Sequence, residues 1–140
     1  MREGDLISGR YRLRGLLGSG SMGSVWAARN ELTNRDFAVK FLRNDLARND
    51  EALQRFFFEA RACGQLRHAS IVEVYDMGQA DDGSPYLVME MLEGEAFDAY
   101  LDRLGTISAI EVCRFLIPIA RGIAEAHRQG LVHRDLKPGN

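Results

Sequence analysis

Hydrophobic and polar residues alternate along several short segments in the first 92 positions of the chain. A period of two residues is typical of strands that turn one face towards a core. The joins at 30–36 and 81–85 are short and rich in turn residues, which favours antiparallel pairing. The pattern therefore predicts a five-stranded antiparallel sheet, with strands at 11–17, 24–29, 37–42, 71–76 and 86–92.

A helical pattern interrupts the strands between the third and the fourth. Within 50–66, the residues Phe56, Ala60 and Cys63 recur at intervals of three to four, and acidic residues begin the segment. Apolar residues at this spacing form one face of a helix, and acids in the first turn complement the helix dipole. One long helix is therefore predicted to pack across the sheet.

The chain turns helical after residue 95. Ser108 and Glu111 have the spacing of a capping box, an apolar stripe follows, and Gly130 is suited to the C′ position. Pro118 lies inside this stripe, where proline costs about 3 kcal/mol unless a bend accommodates it. A sheet with one helix, followed by a helical region, predicts an α+β fold.

Composition and charge limit the classes of function. The chain has 140 residues, 46% of them hydrophobic, and a net charge of -2 from 18 basic and 20 acidic side chains. This balance favours a globular protein and gives no reason to expect a nucleic-acid partner. Cys63 and Cys113 lack metal-ligand spacing and are expected to be reduced, packed thiols. No segment has the length of a membrane span or the character of a signal peptide, so a cytoplasmic location is expected.

Three glycines in the stretch GSGSMGSV have the spacing GxGxxG: Gly18, Gly20 and Gly23. Glycine lets the backbone approach a phosphate closely, although a plain hairpin turn and a dinucleotide-binding turn share this spacing. A dinucleotide-binding turn needs a helix after the glycines, whereas here strand patterns lie on both sides. The glycines are therefore expected to cap a hairpin that covers phosphates with backbone N–H groups.

Lys40 lies among apolar residues in the stretch FAVKF. An unpaired ammonium group in such surroundings is costly, so an acidic partner is expected. Glu59, on the predicted helix that follows, could supply this carboxylate. Taken one at a time, each residue is interpreted by default as an ordinary surface residue.

The chain ends in HRDLKPGN. This stretch is too polar, and too restricted by Pro138, to be the end of an ordinary strand or helix. By itself it is either a frayed tail or part of an active site. Together with GSGSMGSV, FAVK, Glu59 and YLVMEML, in this order, it resembles the signature of the protein kinase family. The LKP run is similar to serine/threonine kinases, and the opening GRYRLRGLLGSGSMGSVWAARN resembles their bacterial branch.

The resemblance implies roles for individual residues. Asp135 would accept the proton of the substrate hydroxyl group, Lys137 would neutralise charge on the transferred phosphoryl group, and Asn140 would hold Mg²⁺. Lys40, oriented by Glu59, would bind the α- and β-phosphates of ATP. The remaining residues that the resemblance assigns to ATP are Leu17, Gly18, Ser19, Gly20, Ser21 and Gly23 in the glycine hairpin, Val25 and Ala38 over adenine, Met89 behind it, and Glu90 and Leu92 through their backbones.

Two residues beside Asp135 have expected supporting roles. His133 is expected to be structural and to tie the loop through packing and backbone hydrogen bonds. Arg134 is expected to be buried and to need an anion, which implies control by a phosphorylated activation segment.

The resemblance also implies an organisation for the chain. Residues 1–140 correspond to part of a kinase domain that is cut at the catalytic loop, with the small lobe and hinge at about 9–92 and the start of the helical large lobe at 93–140. The DFG motif and activation segment of the family are not in the sequence, so the 140-residue chain alone is expected to be inactive. The parent protein is expected to be an ATP- and Mg²⁺-dependent serine/threonine kinase of bacterial signalling that acts on protein substrates. The alternative is a non-catalytic module that binds a nucleotide or a partner.

Overall fold

The computed structural model of the chain describes residues 1–20, 23–43, 47 and 49–139, without the side chains of Ala52 and Glu59. The chain divides into two compact units. The first unit comprises Met1–Gln65 and Val72–Leu92, and the second comprises Leu66–Ile71 and Glu93–Asn140. The first holds the sheet and one long helix, and the second holds two helices and the HRDLKP loop.

The strands of the first unit form one antiparallel sheet, as the alternation predicted. Within the described residues the sheet has six strands in the order β1-β2-β3-β4-β6-β5, and all neighbouring strands run antiparallel. The strands are β1 (Leu6–Ile7), β2 (Tyr11–Gly20), β3 (Gly23–Asn30), β4 (Asp36–Leu42), β5 (Val74–Gln79) and β6 (Pro85–Glu90).

The sheet differs from the prediction in several details. β2 continues to Gly20 and does not end at residue 17. β1 is additional, because a strand of two residues is too short to show alternation. β5 begins at Val74 and not at residue 71, since Ile71 belongs to a turn in which its N–H donates to the His68 carbonyl at 2.9 Å. β6 ends at Glu90 and not at residue 92.

The core of the first unit lies on one face of the sheet. On β4, the alternate residues Phe37, Val39 and Phe41 are buried on this face. The segment before β2 contributes to the same core, because Ile7 is only 4% exposed and the Tyr86 hydroxyl group bonds Ser8 Oγ at 2.8 Å. The full cluster is Ile7, Tyr11, Leu13, Ala28, Phe37, Val39, Phe41, Ala80, Tyr86 and Val88.

Helix α1 (Asp50–Gln65) follows the bounds that the apolar spacing predicted to within one residue. Asp50 and Glu51 occupy its first turn, where carboxylates interact favourably with the helix dipole. Phe56 and Ala60, one helical turn apart, are buried, and the helix packs against β5. The predicted helix and its buried face are confirmed.

The second unit contains helices α2 (Phe97–Leu104) and α3 (Ala109–Arg128). Ser108 and Glu111 form the predicted capping box at the start of α3. At the other end, the Gly130 N–H donates to the His127 carbonyl and the Leu131 N–H to that of Ala126, both at 3.0 Å, with Gly130 at φ 77°. This is the Schellman arrangement, in which glycine avoids the cost of a left-handed residue with a side chain.

Helix α3 continues through Pro118 without interruption. Its one buried residue is Gly122, where a Cβ atom would come within 3.3 Å of both His68 Nδ1 and Ser70 Cβ. The glycine therefore lets the 66–71 segment pack closely on the helix. Despite the length of α3, no helix in the described part of the chain is apolar enough to span a bilayer.

The two cysteines form no disulfide bond in the described part of the structure, as expected, but they differ in environment. Cys63 on α1 is half-buried, whereas Cys113 on α3 is exposed. The expectation of a packed thiol is therefore wrong for Cys113, because this position of α3 faces outwards within the described residues.

Candidate functional site

The residues expected to surround adenine share one face of the sheet in the first unit. In an antiparallel ladder, directly opposed residues point to the same side. Ala38 is opposed by Met89 on β6, and Lys40 is opposed by Val25 on β3. Because the core residues of β4 occupy the alternate positions, these four side chains lie on the face opposite the core.

This second face, which we call the Lys40 face, is defined by Val25, Ala38, Lys40 and Met89. Ala38 is buried, and the other three are half-buried. Leu87 belongs to the same row, because it is opposed to Lys40 on β6 and is also half-buried. It was not among the expected site residues, although the alternation in YLVME places it on the same side as Met89.

The glycine hairpin joins β2 to β3 as expected. Gly18 pairs with Val25, and Gly20 pairs with Gly23. Because Val25 belongs to the Lys40 face, the hairpin adjoins this face. A Cβ atom at Gly18 or Gly20 would meet no atom within 4 Å, and Ser19 is exposed. The backbone here is open to a phosphate group.

Leu17 and Ser21 were also expected to contact ATP from the hairpin. Leu17, immediately before the glycines, is 55% exposed. Ser21 lies outside the described residues, so its expected contact with ATP stays a prediction.

Gly23 differs from the other two glycines of the motif. Its φ is 153°, and a Cβ atom would come within 1.8 Å of the Phe41 carbonyl oxygen on the neighbouring strand. No side chain fits at that distance. The third glycine is thus required by the pairing of β3 with β4, a reason that the motif alone does not reveal.

The segment expected to contact the adenine edge follows Met89. The Glu90 N–H donates to the Glu73 carbonyl at 3.0 Å, and Glu90 Oε1 accepts from the Glu73 N–H at 2.9 Å. With its N–H engaged in this way, Glu90 could offer a nucleotide only its carbonyl oxygen. Leu92 is 65% exposed.

The ion pair expected for Lys40 stays a prediction. The backbone of Glu59 lies in α1, but its side chain is outside the described part of the structure. Lys40 itself is half-buried on β4. An ammonium group at such a position is favourably placed to meet an anion, whether from the protein or from a ligand.

The HRDLKP loop lies in the second unit, after the Schellman end of α3. Lys137 Nζ is 2.8 Å from Asp135 Oδ2, and both side chains are exposed. His133 Nδ1 accepts a hydrogen bond from the Asp135 N–H at 3.3 Å. The bond from His133 to the backbone matches the structural role expected of this residue, although its side chain is exposed and not packed.

Arg134 and Asn140 complete the expected loop residues. Arg134 is exposed with φ 64°, an uncommon conformation for a residue with a side chain, so the expectation that it is buried is wrong in this structure. Asn140 lies outside the described residues. The described residues contain no group of three or more His, Cys, Asp or Glu side chains that could hold a metal ion.

The Lys40 face and the hairpin fit ATP chemically. Small and apolar side chains suit a purine ring, open backbone N–H groups suit phosphates, and a lysine supplies positive charge. The residue expected to hold Mg²⁺ is Asn140, whose amide oxygen is the kind of ligand that this ion takes together with substrate phosphates, and this assignment stays a prediction.

Comparisons with known proteins agree with this chemistry. A family model described as the protein kinase domain matches residues 11–140. The chain is 41% identical over 138 residues to a probable serine/threonine-protein kinase PknB of Corynebacterium glutamicum, covering 96% of this chain and 21% of that protein. It is 40% identical over 143 residues to serine/threonine-protein kinase PknA of Mycobacterium tuberculosis, covering 99% of this chain and 33% of that protein.

Solved structures give the same result for the fold. The crystal structure of the PknI kinase domain of Mycobacterium tuberculosis matches with a TM-score of 0.85 and 30% identity, covering 100% of this chain and 56% of that one. The chain thus spans between about a fifth and a third of the length of the curated relatives named above. The fold is that of the small lobe and the start of the large lobe of a kinase.

Proposed function

Because this chain belongs to the protein kinase domain family, we propose that the protein which carries it is a serine/threonine protein kinase. It transfers the γ-phosphoryl group of ATP to hydroxyl groups of protein substrates. The observation that carries this proposal is the HRDLKP loop, in which Lys137 Nζ lies 2.8 Å from Asp135 Oδ2. A carboxylate that can accept the proton of a hydroxyl group, beside a cation that can stabilise charge on the transferred phosphoryl group, suits phosphoryl transfer.

The first unit binds the nucleotide in this proposal. Val25 and Ala38 cover the adenine ring, Met89 lies behind it, and Lys40 neutralises the α- and β-phosphates with Glu59 as its partner. The hairpin from Leu17 through Ser21 to Gly23 covers the phosphates with N–H groups, because Gly18 and Gly20 leave the backbone open. Glu90 and Leu92 hold the adenine edge through their backbones.

The second unit supplies the residues of the transfer step. Asp135 orients the substrate hydroxyl group and accepts its proton while the new O–P bond forms and ADP departs. Lys137 compensates the negative charge on the transferred group, and positioned charges of this kind provide most of the catalysis in such reactions. Kinases of this family use ATP with Mg²⁺, which neutralises the phosphate oxygens, and Asn140 is the residue of this chain that we assign to it.

A second candidate function is a non-catalytic module that binds ATP or a partner through the first unit. The retained loop argues against it, because binding alone requires neither Asp135 nor Lys137. The two functions differ in one observable property, since the module binds nucleotide without turning it over. We further propose that the protein acts in bacterial signalling in the cytoplasm.

Phosphate incorporation tests the proposal. The full-length protein that contains this chain is incubated with radiolabelled ATP, Mg²⁺ and a generic protein substrate, beside a Lys40→Met variant and an Arg35→Met variant as a control for loss of one charge. We expect labelled phosphoserine or phosphothreonine with the wild type and the Arg35 variant, and little with the Lys40 variant. ATP binding by the wild type without any label transfer would favour the module instead.

A further inference from the structure

Asp98 connects the start of α2 to the end of the HRDLKP loop. Its backbone N–H donates to the Pro138 carbonyl at 3.2 Å. Its Oδ1 accepts the Ala99 N–H at 2.8 Å, which fixes the orientation of the carboxylate group. The other oxygen, Oδ2, then faces Gly139.

A side chain at Gly139 would displace the carboxylate group of Asp98, which is the far end of an exposed side chain. A Cβ atom at position 139 would be 2.6 Å from Asp98 Oδ2 and 3.4 Å from its Cγ. Gly139 is not among the glycines with a left-handed φ, so its own backbone would accept alanine. The absence of a side chain at Gly139 therefore leaves the space that the Asp98 carboxylate occupies.

The contacts inside the loop do not provide this kind of attachment. The pairs His133–Asp135 and Lys137–Asp135 join residues of the loop to one another. The Asp98 contacts instead join the loop to a helix, at Pro138 and Gly139. They lie three to four positions after Asp135 and directly before Asn140, so they bear on the backbone path between the two residues.

We propose that Asp98 is a positioning residue of the catalytic loop. The carboxylate group of Asp98 packs against the loop backbone at Gly139. The effect of this contact on phosphoryl transfer rests on the proposed kinase function, whereas the contact itself does not. Loss of alignment on the order of 1 Å can lower a rate by about a hundredfold, so a fixed loop end matters for the rate. Binding of ATP depends on the first unit and should change little.

The test is a double-mutant cycle with Gly139→Ala, Asp98→Ala and the combined variant. Amide hydrogen exchange across 131–139, kcat and the KM for ATP are all measured in the full-length protein. Asp98→Asn keeps the shape of the side chain and removes its charge. Asp102→Ala, which removes an exposed acid one turn later on α2, is the control.

We expect Gly139→Ala alone to speed exchange in the loop and to lower kcat about tenfold or more, with the KM for ATP nearly unchanged. In the Asp98→Ala background the added methyl group fits, so the same substitution should have little further effect. Exchange in Asp98→Asn should match the wild type. Equal damage from Gly139→Ala in both backgrounds, or none in either, would overturn the proposal.

The two readouts separate the inference from the function on which it rests. If the full-length wild type transfers no phosphate, the proposed function fails. The coupling in hydrogen exchange would still decide whether Asp98 packs on Gly139, because exchange does not depend on catalysis.

Discussion

Gly18 and Gly23 belong to the same GxGxxG motif but meet different physical requirements. A side chain at Gly18 would point into open space, whereas one at Gly23 would collide with the Phe41 carbonyl oxygen. The motif therefore combines a residue that leaves room for a ligand with one that holds two strands together. Sequence reasoning assigned both to phosphate binding, because spacing alone does not show which strand lies beside each glycine.

Alanine substitutions should separate these two requirements. Gly23→Ala should lower the free energy of unfolding by about 2 kcal/mol or more, since the methyl group forces β3 and β4 apart. Gly18→Ala should change it by no more than about 0.5 kcal/mol, as at an open surface position, yet weaken ATP binding. Urea unfolding and nucleotide titration of both variants provide the measurements. A Gly23→Ala protein as stable as the wild type would contradict the structure.

Tyr11 ties the start of β2 to β5. Its hydroxyl group donates to Asp76 Oδ2 at 3.0 Å, and burial, reinforced by this hydrogen bond, raises the pKa of Tyr11 to about 12. A raised pKa means that the stabilisation is complete below the ordinary value of 10.0 and is lost as the pH rises towards 12. The bond should therefore matter at neutral pH and fail in strong base.

Tyr11→Phe should lower the free energy of unfolding by about 1 kcal/mol at pH 8. Near pH 11 the difference between variant and wild type should shrink, because the Tyr11 hydroxyl group ionises in the unfolded wild type and favours unfolding, while phenylalanine does not titrate. Urea unfolding of both proteins at the two pH values measures this. A difference that is the same at pH 8 and pH 11 would count against the Tyr11–Asp76 bond.

At the scale of elements, the predictions succeeded where a local pattern determines the structure. The capping box at Ser108, the Gly130 end of α3 and the alternation of β4 each depend on a few neighbouring residues. The pairing order of the strands and the place of β1 depend on residues far apart in sequence. Such contacts leave no local signal, and β1 is also too short for an alternation to show, so it was not predicted.

The same distinction between local patterns and contacts of distant segments applies to the expected site residues. Val25, Ala38 and Met89 were expected near adenine from the resemblance to kinases, and the strand register of the structure places them on one face with Lys40. The exposure of Arg134 and the contact of Asp98 with Gly139 depend on how an irregular loop lies against a helix. No periodicity reports such packing, so these features required the structure.

The capping box of α3 predicts how the stability of this helix depends on pH. Hydrogen bonds from the Ser108 backbone and hydroxyl group hold the pKa of Glu111 below its ordinary value of 4.5. A lowered pKa means that this stabilisation is present above the ordinary value and is lost as the pH falls through the lowered one. Ser108→Ala removes the cap itself and should cost about 1 kcal/mol at pH 7, as the loss of a helix cap does.

Acid should reduce the difference between Ser108→Ala and the wild type, because protonated Glu111 no longer accepts both bonds. Thermal unfolding at pH 7 and at a pH low enough to protonate Glu111 compares the two proteins. A Thr106→Ala variant, which removes an exposed hydroxyl group two residues earlier, serves as the control for a change outside the cap. A Ser108 effect that is equally large at both pH values would show that Glu111 takes no part in it.

At the scale of the whole molecule, the proposed functions of nucleotide binding and phosphoryl transfer belong to different units. The first carries the Lys40 face and the glycine hairpin, and the second carries the Asp135–Lys137 pair. This division predicts that nucleotide binding and phosphoryl transfer can be impaired separately. Substitutions on the Lys40 face should weaken binding, whereas substitutions in the loop should spare binding and slow the transfer step.

The most direct measurement is the rate of phosphate transfer in a single turnover by the full-length protein and its Asp135→Asn variant, with ATP affinity determined in parallel. Asparagine keeps the shape of the side chain but cannot accept the proton, so the rate should fall by roughly 10²- to 10⁴-fold. ATP affinity should stay within about twofold, because the proposed nucleotide contacts lie in the first unit. Transfer by Asp135→Asn at the wild-type rate would contradict the assignment of Asp135 as the base.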